Sequence, residues 1–209
     1  MHDAELLFHE HDLGRVIDAQ REKMLAAIDG LTDAELLTDD PDSLVERITA
    51  EYCIAPIQLN ADDIRYEEGE TKVDVSRSAH YRFLGGPQEV TATEYRFFVP
   101  FEGDRDLFRC QPSSFDLCPP RAEISGHEMV IRVVKLTDDM DAAAIRKAFN
   151  EVLSSVRTYL DRQANDLRGL HDRFRETAAR RIEQRRAKRR ADADVGESLG
   201  FPKRGEQSR

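Results

Sequence analysis

His2, Asp3, His9, Glu10, His11 and Asp12 crowd imidazoles and carboxylates into the first twelve residues. Those are the donor types that hold transition metals, and His9 with His11 could offer two nitrogens to zinc. No second ligand pair has a signature spacing, and a chain terminus reads first as a solvated segment that starts a helix; no metal is expected. Cys53, Cys110 and Cys118 are widely spaced and include no CxxC. A disulfide framework and a zinc ribbon are therefore both unsupported. Cys110 or Cys118 beside His127 would make a thiol–imidazole pair for nucleophilic catalysis. Nothing in the spacing brings them together, and Cys110 alternates with Phe108 onto an apolar face, so a buried structural thiol is expected. Glu94 with Asp104 or Asp106 could form a nuclease-like carboxylate pair, yet such pairs arise by chance among 41 acidic residues. The chain contains no GxxxxGK[ST], GxGxxG, GxSxG or HExxH, so phosphate loops and these hydrolase signatures have no support. No catalytic residue and no cofactor is assigned, and the expectation is a protein that is not an enzyme.

The strongest polar feature is basic. Residues 173–190 hold nine arginines and lysines against Glu176 and Glu183, a local excess of seven. The whole chain carries −10, which leaves −17 on the remainder. Such asymmetry confines any nucleic-acid contact to the basic stretch. Arg181, Arg185, Lys188 and Arg189 fall on one helical face and could follow a phosphate backbone, with Arg186 and Arg190 beside them. No aromatic residue follows Phe174 within the helix, so base stacking is not supported. The plainer reading is a solvated or partner-bound helix end whose cations complement the dipole.

These arginines need a scaffold. From Thr137, Asp138 and Asp139, which can cap it, a helix is predicted to run to Arg190, for Gly169 is its single interior glycine and it has no proline. Ile145, Phe149, Val152, Val156, Leu160, Ala164, Leu167, Leu170, Phe174, Ala178 and Ile182 recur in steps of three and four, close to a heptad seam. Some fifty residues at the helical rise span roughly 75 Å, longer than a domain of this size is wide. The expected consequence is a projecting helix, coiled-coil-like and then basic. Val152, Val156, Leu160, Leu167, Leu170 and Phe174 would pack on a second copy or a partner protein, and a kink is expected at Gly169. A helix that covers the sheet and folds back at Gly169 is the alternative.

Upstream, Leu13, Val16, Ile17, Met24, Leu25 and Ile28 mark an amphipathic helix over 13–29 that ends at Gly30. Thr32 caps a short turn, and Pro41 begins a third helix with Leu44, Ile48 and Tyr52 inward. The period then shortens. IQLN, KVDVS, HYRFL, EVTATEYRFFVPF, DLFRCQ, RAEIS and EMVIRVVKL read as strands between glycine- and proline-rich turns. Tyr95, Phe97, Val99 and Phe101 share one face, with Glu94, Arg96 and Phe98 opposite. The last strand is apolar on both faces and should be central. The expected class is α+β: a small N-terminal helical unit, an antiparallel meander of about five or six strands, then the very long helix. Residues 1–137 form the globular domain (helices 13–53, strands 57–136), 138–190 the helix and 191–209 a flexible tail. No run is long and apolar enough for a membrane span, and a secretory signal is not evident, so a cytoplasmic protein is expected.

Ser198, Leu199, Gly200, Phe201, Pro202, Lys203 and Arg204, following a basic helix, resemble a segment in uncharacterised bacterial proteins. There it links an N-terminal domain to a restriction-endonuclease-like domain. The resemblance covers a small part of the chain, which stops at Arg209 without such a domain, so no catalytic residue carries over. It implies a non-catalytic sensing or oligomerising part of a nuclease-type or antiphage-defence system. The expected function is thus an interaction module acting through its long helix, with nucleic-acid binding by the basic end as the alternative.

Overall fold

The computed structural model describes residues 4–38, 40–74, 89–135 and 141–200. The expected caps Thr137–Asp139, the strand HYRFL, the Gly85-Gly86-Pro87 turn, His2, Asp3 and the Phe201–Arg204 stretch lie outside these residues. The class is α+β, with an antiparallel sheet of about six strands and long C-terminal helices. The chain divides into two compact units. The first is built from residues up to Gly14 and from Ala55–Asp166; the second from Arg15–Ile54 and from Leu167 onward. This interleaving replaces the single globular body of 1–137 with a separate helix. The N-terminal helices belong with the basic half of the long helix, and the strands belong with its apolar half.

In the first unit the sheet runs β1 (Glu5–Leu6), β7 (Arg121–Ser125), β8 (Glu128–Lys135), β5 (Glu89–Glu102) and β3 (Gln58–Leu59), and β4 (Arg65–Asp74) also pairs with β5. β8 is central, as its two apolar faces require, and pairs antiparallel with both β5 and β7. Helix α4 (Ala142–Leu167) packs on the Tyr95–Phe97–Val99 face, where Phe149 meets Phe97 at 4.4 Å between ring centroids. Two expectations fail on periodicity. Residues 65–71 of β4 are polar on both faces, so no alternation betrays the strand, and only KVD of it was anticipated. In DLFRCQ, by contrast, Leu107 and Phe108 are adjacent and both buried, which suits a helical turn. Residues 105–109 form a 3-10 turn, capped by Asp104 accepting from the Asp106 N–H at 2.9 Å, and only β6 (Cys110–Gln111) is extended. The amino terminus leads into α1 but is more than a solvated helix start. Glu5–Leu6 joins the sheet, β2 (His11–Asp12) pairs in parallel with β6, and Leu7 and Phe8 are core residues between them.

The second unit contains α1 (Leu13–Gly30, entering it at Arg15), α2 (Asp33–Thr38), α3 (Pro41–Tyr52) and α5 (Leu170–Ser198). Local chemistry starts the short helices. Thr32 and Glu35 exchange hydrogen bonds in a capping box, the Glu35 carboxylate accepting from the Thr32 N–H at 2.8 Å. Asp40 accepts from the Ser43 N–H at 3.0 Å, with Pro41 in the first turn. α3 and α2 both pack on α5. α5 continues eight residues beyond the expected end at Arg190, so the tail begins helical, although Ala187–Glu197 carries no buried side chain.

The long helix is interrupted at Gly169, whose backbone is left-handed at φ 67°. Open space surrounds its Cα, so conformation rather than crowding selects glycine. The sign of one substitution reads this directly. Gly169→Ala should destabilise the protein by about 1–2 kcal/mol in denaturant unfolding, the penalty for a left-handed alanine. In an uninterrupted helix the same change would stabilise it by roughly 0.5–1 kcal/mol.

Candidate functional site

The apolar stripe is internal to the chain. Val156, Leu160, Leu167, Leu170 and Phe174 are buried and Val152 is half-buried, so they have little surface to offer a second molecule. These six residues, expected to meet a second copy or a partner, pack within the chain itself. On α5 the buried positions are Leu170, Phe174, Ala178, Ile182 and Arg186. Every step is four residues, which drifts about 40° around the helix each time. A stripe that winds in this way suits crossing helices rather than a straight heptad seam, and α3 and α2 supply them.

The basic residues have partners in the same unit. Arg181 forks onto Asp29, both bonds at 2.7 Å. Arg185 donates to the Ile28 and Leu31 carbonyls at the end of α1, where backbone acceptors lack helical partners. Arg189 reaches Asp33 at 2.8 Å, and Arg175 lies 3.4 Å from Glu46, which His171 also approaches at 3.3 Å. Arg186 is buried, with 5% of its surface exposed. Arg190 stands 3.9 Å from Glu183. Of the five arginines expected to meet phosphate, four are thus bonded or buried within the helical unit. A duplex would have to compete with Asp29, Asp33 and two carbonyls for them. Part of the charge that looks segregated along the chain is paired in the fold: Arg175, Arg181 and Arg189 each meet a carboxylate from α1, α2 or α3.

The candidate catalytic groups do not converge. Cys110 is buried and donates to the Asp106 carbonyl at 3.4 Å; burial and the neighbouring Asp104 and Asp106 push its thiol up to about 11. It remains a protonated structural thiol. Cys118 is exposed in the 112–120 loop, and His127 lies in the β7–β8 turn. Glu94 stands in mid-β5 beside Arg96, at 3.7 Å, eight residues before the end of the strand. At the extended rise that is about 26 Å from the turn bearing Asp104 and Asp106. Among the described residues no three His, Cys, Asp or Glu side chains are grouped so as to hold a metal ion.

One surface escaped the sequence reading. Between β6 and β7, residues 113–118 are all exposed, with Leu117 94% and Phe115 49% accessible. The loop is nonetheless fixed to α4. The Ser113 N–H and hydroxyl donate to the Asp166 carboxylate at 2.7 and 2.6 Å. The buried Tyr159 hydroxyl accepts from the Asp116 N–H at 3.0 Å and bonds its carbonyl at 2.9 Å. Arg162 donates to the Asp116 carboxylate at 2.9 Å while lying over the Tyr159 ring. Tyr159 is itself stacked on Phe8, 5.0 Å between centroids. Gln163, one residue past Arg162, donates to the Leu107 and Cys110 carbonyls at 2.8 and 2.6 Å and steadies the preceding turn. Tyr159, Arg162 and Asp166 follow helical spacing on one face of α4, a pattern visible in the sequence only once the loop is known to lie there. No protein family, curated protein or solved structure matches the chain.

The polar contacts of the helical unit set an acid limit. Hydrogen bonding from Arg181 holds Asp29 below the ordinary carboxylate range; Thr32 does the same for Glu35, and Ser43 for Asp40. A carboxyl whose pKa is depressed on folding contributes stability above its unfolded pKa and loses it as pH falls through the folded one. Thermal melts followed by helical dichroism should therefore shift to lower temperature below about pH 4. Asp29→Asn should remove part of that slope, whereas an unchanged slope would show that the Arg181 contact contributes nothing.

Proposed function

We propose that this chain is a non-catalytic protein-interaction module and that the fixed 113–118 loop is the element that meets the partner. One observation carries the reading: two large apolar side chains, Phe115 and Leu117, are held in water by a loop anchored at Ser113 and Asp116. Exposed apolar groups are usually scattered or mobile, whereas these stand two residues apart on a preorganised backbone. Fixing the loop in advance removes most of the ordering cost of binding, so apolar burial converts more fully into affinity. Aromatic and aliphatic anchors of this kind concentrate binding energy at protein interfaces. The Ser198–Arg204 resemblance supports placing the module in a nuclease-type or antiphage-defence system. The partner in this reading is another protein, reached through the loop rather than through the apolar stripe of the long helix.

The test uses the full chain in its source cells. Wild type should sediment with a partner, well above the 23.9 kDa of the chain alone. Leu117→Asp should release it, because an accessible position tolerates a carboxylate while an interface core does not. Arg162→Ala, which removes one of the loop's three anchors without touching its tip, should weaken the complex by up to about tenfold. Sedimentation of wild type at the monomer mass, or a complex indifferent to Leu117→Asp, would overturn the reading.

A further inference from the structure

A cavity of about 230 Å³ opens beside the amino-terminal segment, wholly within the first unit. Three pieces of chain meet there: residues 5–10, the 105–109 turn, and β7 at Ile124. Leu7 and Phe108, both core residues, and the half-buried Leu6 and Ile124 give it an apolar wall. Glu5, Glu10, Asp106, Arg105 and Arg109 give it a charged one. A concavity with an apolar wall and a few polar groups is the usual make-up of a small-molecule site. Its volume lies below the roughly 300 Å³ at which drug-sized sites begin, so it fits a ligand of few atoms.

The backbone along this cavity is strained. Phe8 is left-handed at φ 56°, and among the described residues it is the one non-glycine residue with a positive φ. A bulky side chain disfavours that region. Packing holds it there: the Phe8 N–H donates to the Phe108 carbonyl, and its ring stacks on Tyr159 and tilts against Phe108. Two residues on, the Glu10 N–H donates to the Arg109 carbonyl at 3.0 Å. The reversal at Phe8 thus fixes residues 5–10 against the 105–109 turn, with Glu5 and Glu10 lining the cavity. Strain that the surroundings hold in this way concentrates at ligand sites.

The charges specify the ligand. Glu10 meets Arg109 at 3.0 Å. That bond raises the Arg109 pKa, and the charges of Asp106 and Glu5 add to the effect, so all three carboxylates act on one guanidinium. Arg105 is the second cation of the cavity. A phosphate dianion would face three carboxylates at close range and is disfavoured. Among the described residues no three His, Cys, Asp or Glu side chains are grouped to hold a metal ion, so the carboxylates suit a larger, organic ammonium. One anionic end, one cationic end and an apolar body describe a small zwitterion.

We propose that this cavity binds a free α-amino acid with an aliphatic side chain: the carboxylate on Arg105, the ammonium on Glu5 and Asp106, and the side chain against Leu6 and Ile124. A guanidinium fork matches a carboxylate in geometry as well as charge. The site is separate from the 113–118 loop and stands or falls without it.

The probe is L-leucine, titrated into the full chain to roughly 10 mM, because few atoms set a low ceiling on affinity. Amide chemical shifts report the site, and they should move at Leu6–Glu10 and Arg105–Arg109. Leucinamide, which lacks the carboxylate, and N-acetyl-leucine, which lacks the ammonium, should each bind roughly tenfold or more weakly than leucine. Arg105→Gln, at an exposed position, should weaken leucine by a similar factor while leaving the shifts of β5 and β8 in place. It should also erase the preference for leucine over leucinamide, which loss of an unrelated contact would not do. Leu117→Asp should leave the affinity unchanged. Absence of leucine-dependent shifts, equal binding of leucinamide, or full affinity in Arg105→Gln would each overturn the proposal.

Discussion

Leu170, Phe174, Ala178, Ile182 and Arg186 lie four residues apart on α5, and all five have to be kept from water. Burying the large apolar members contributes on the order of 1.5–3 kcal/mol each. A charged group among them is tolerable only with polar partners. That requirement recruits α3 and α2 and separates α5 from α4 into different compact units. The left-handed Gly169 interrupts a chain that is otherwise helical from Ala142 to Ser198.

Once α5 is covered by the helices that precede the sheet in sequence, the charge distribution follows. The acidic ends of α1 and α2 carry Asp29 and Asp33, which meet Arg181 and Arg189. Arg185 closes the carboxyl end of α1 through backbone carbonyls. Three of the cations in residues 173–190, Arg175, Arg181 and Arg189, thus meet carboxylates that lie outside the segment. In the sheet unit, Phe115 and Leu117 stand exposed on a loop held by three side chains of α4.

Much of this architecture was legible in the chain. Alternation from Tyr95 to Phe101 marked the strand under α4, and β8, apolar on both faces, was correctly central. Pro41, Thr32 and Gly169 marked helix starts and the break. The length argument for a projecting helix treated steps of four as part of a heptad seam. Nothing local in the sequence shows that residues 15–54 return to residues 167–198. β4 was missed because a strand solvated on both faces has no hydrophobic period. The amino terminus was misread because its polar His and Glu residues outnumber the two that matter for packing, Leu7 and Phe8. The loop's fixation is illegible for a similar reason: Ser113 and Asp166 are far apart in the chain, and neither belongs to a motif.

The central claim is that α5 is covered by its own chain. Amide exchange of Phe174–Ile182, compared with Ala187–Ser198, tests it over a dilution series that would dissociate any helix-mediated dimer. Concentration-independent protection of the first segment with rapid exchange in the second is the result this account predicts. Protection of Phe174–Ile182 that disappears on dilution would mean that a second copy covers the stripe, and would contradict it.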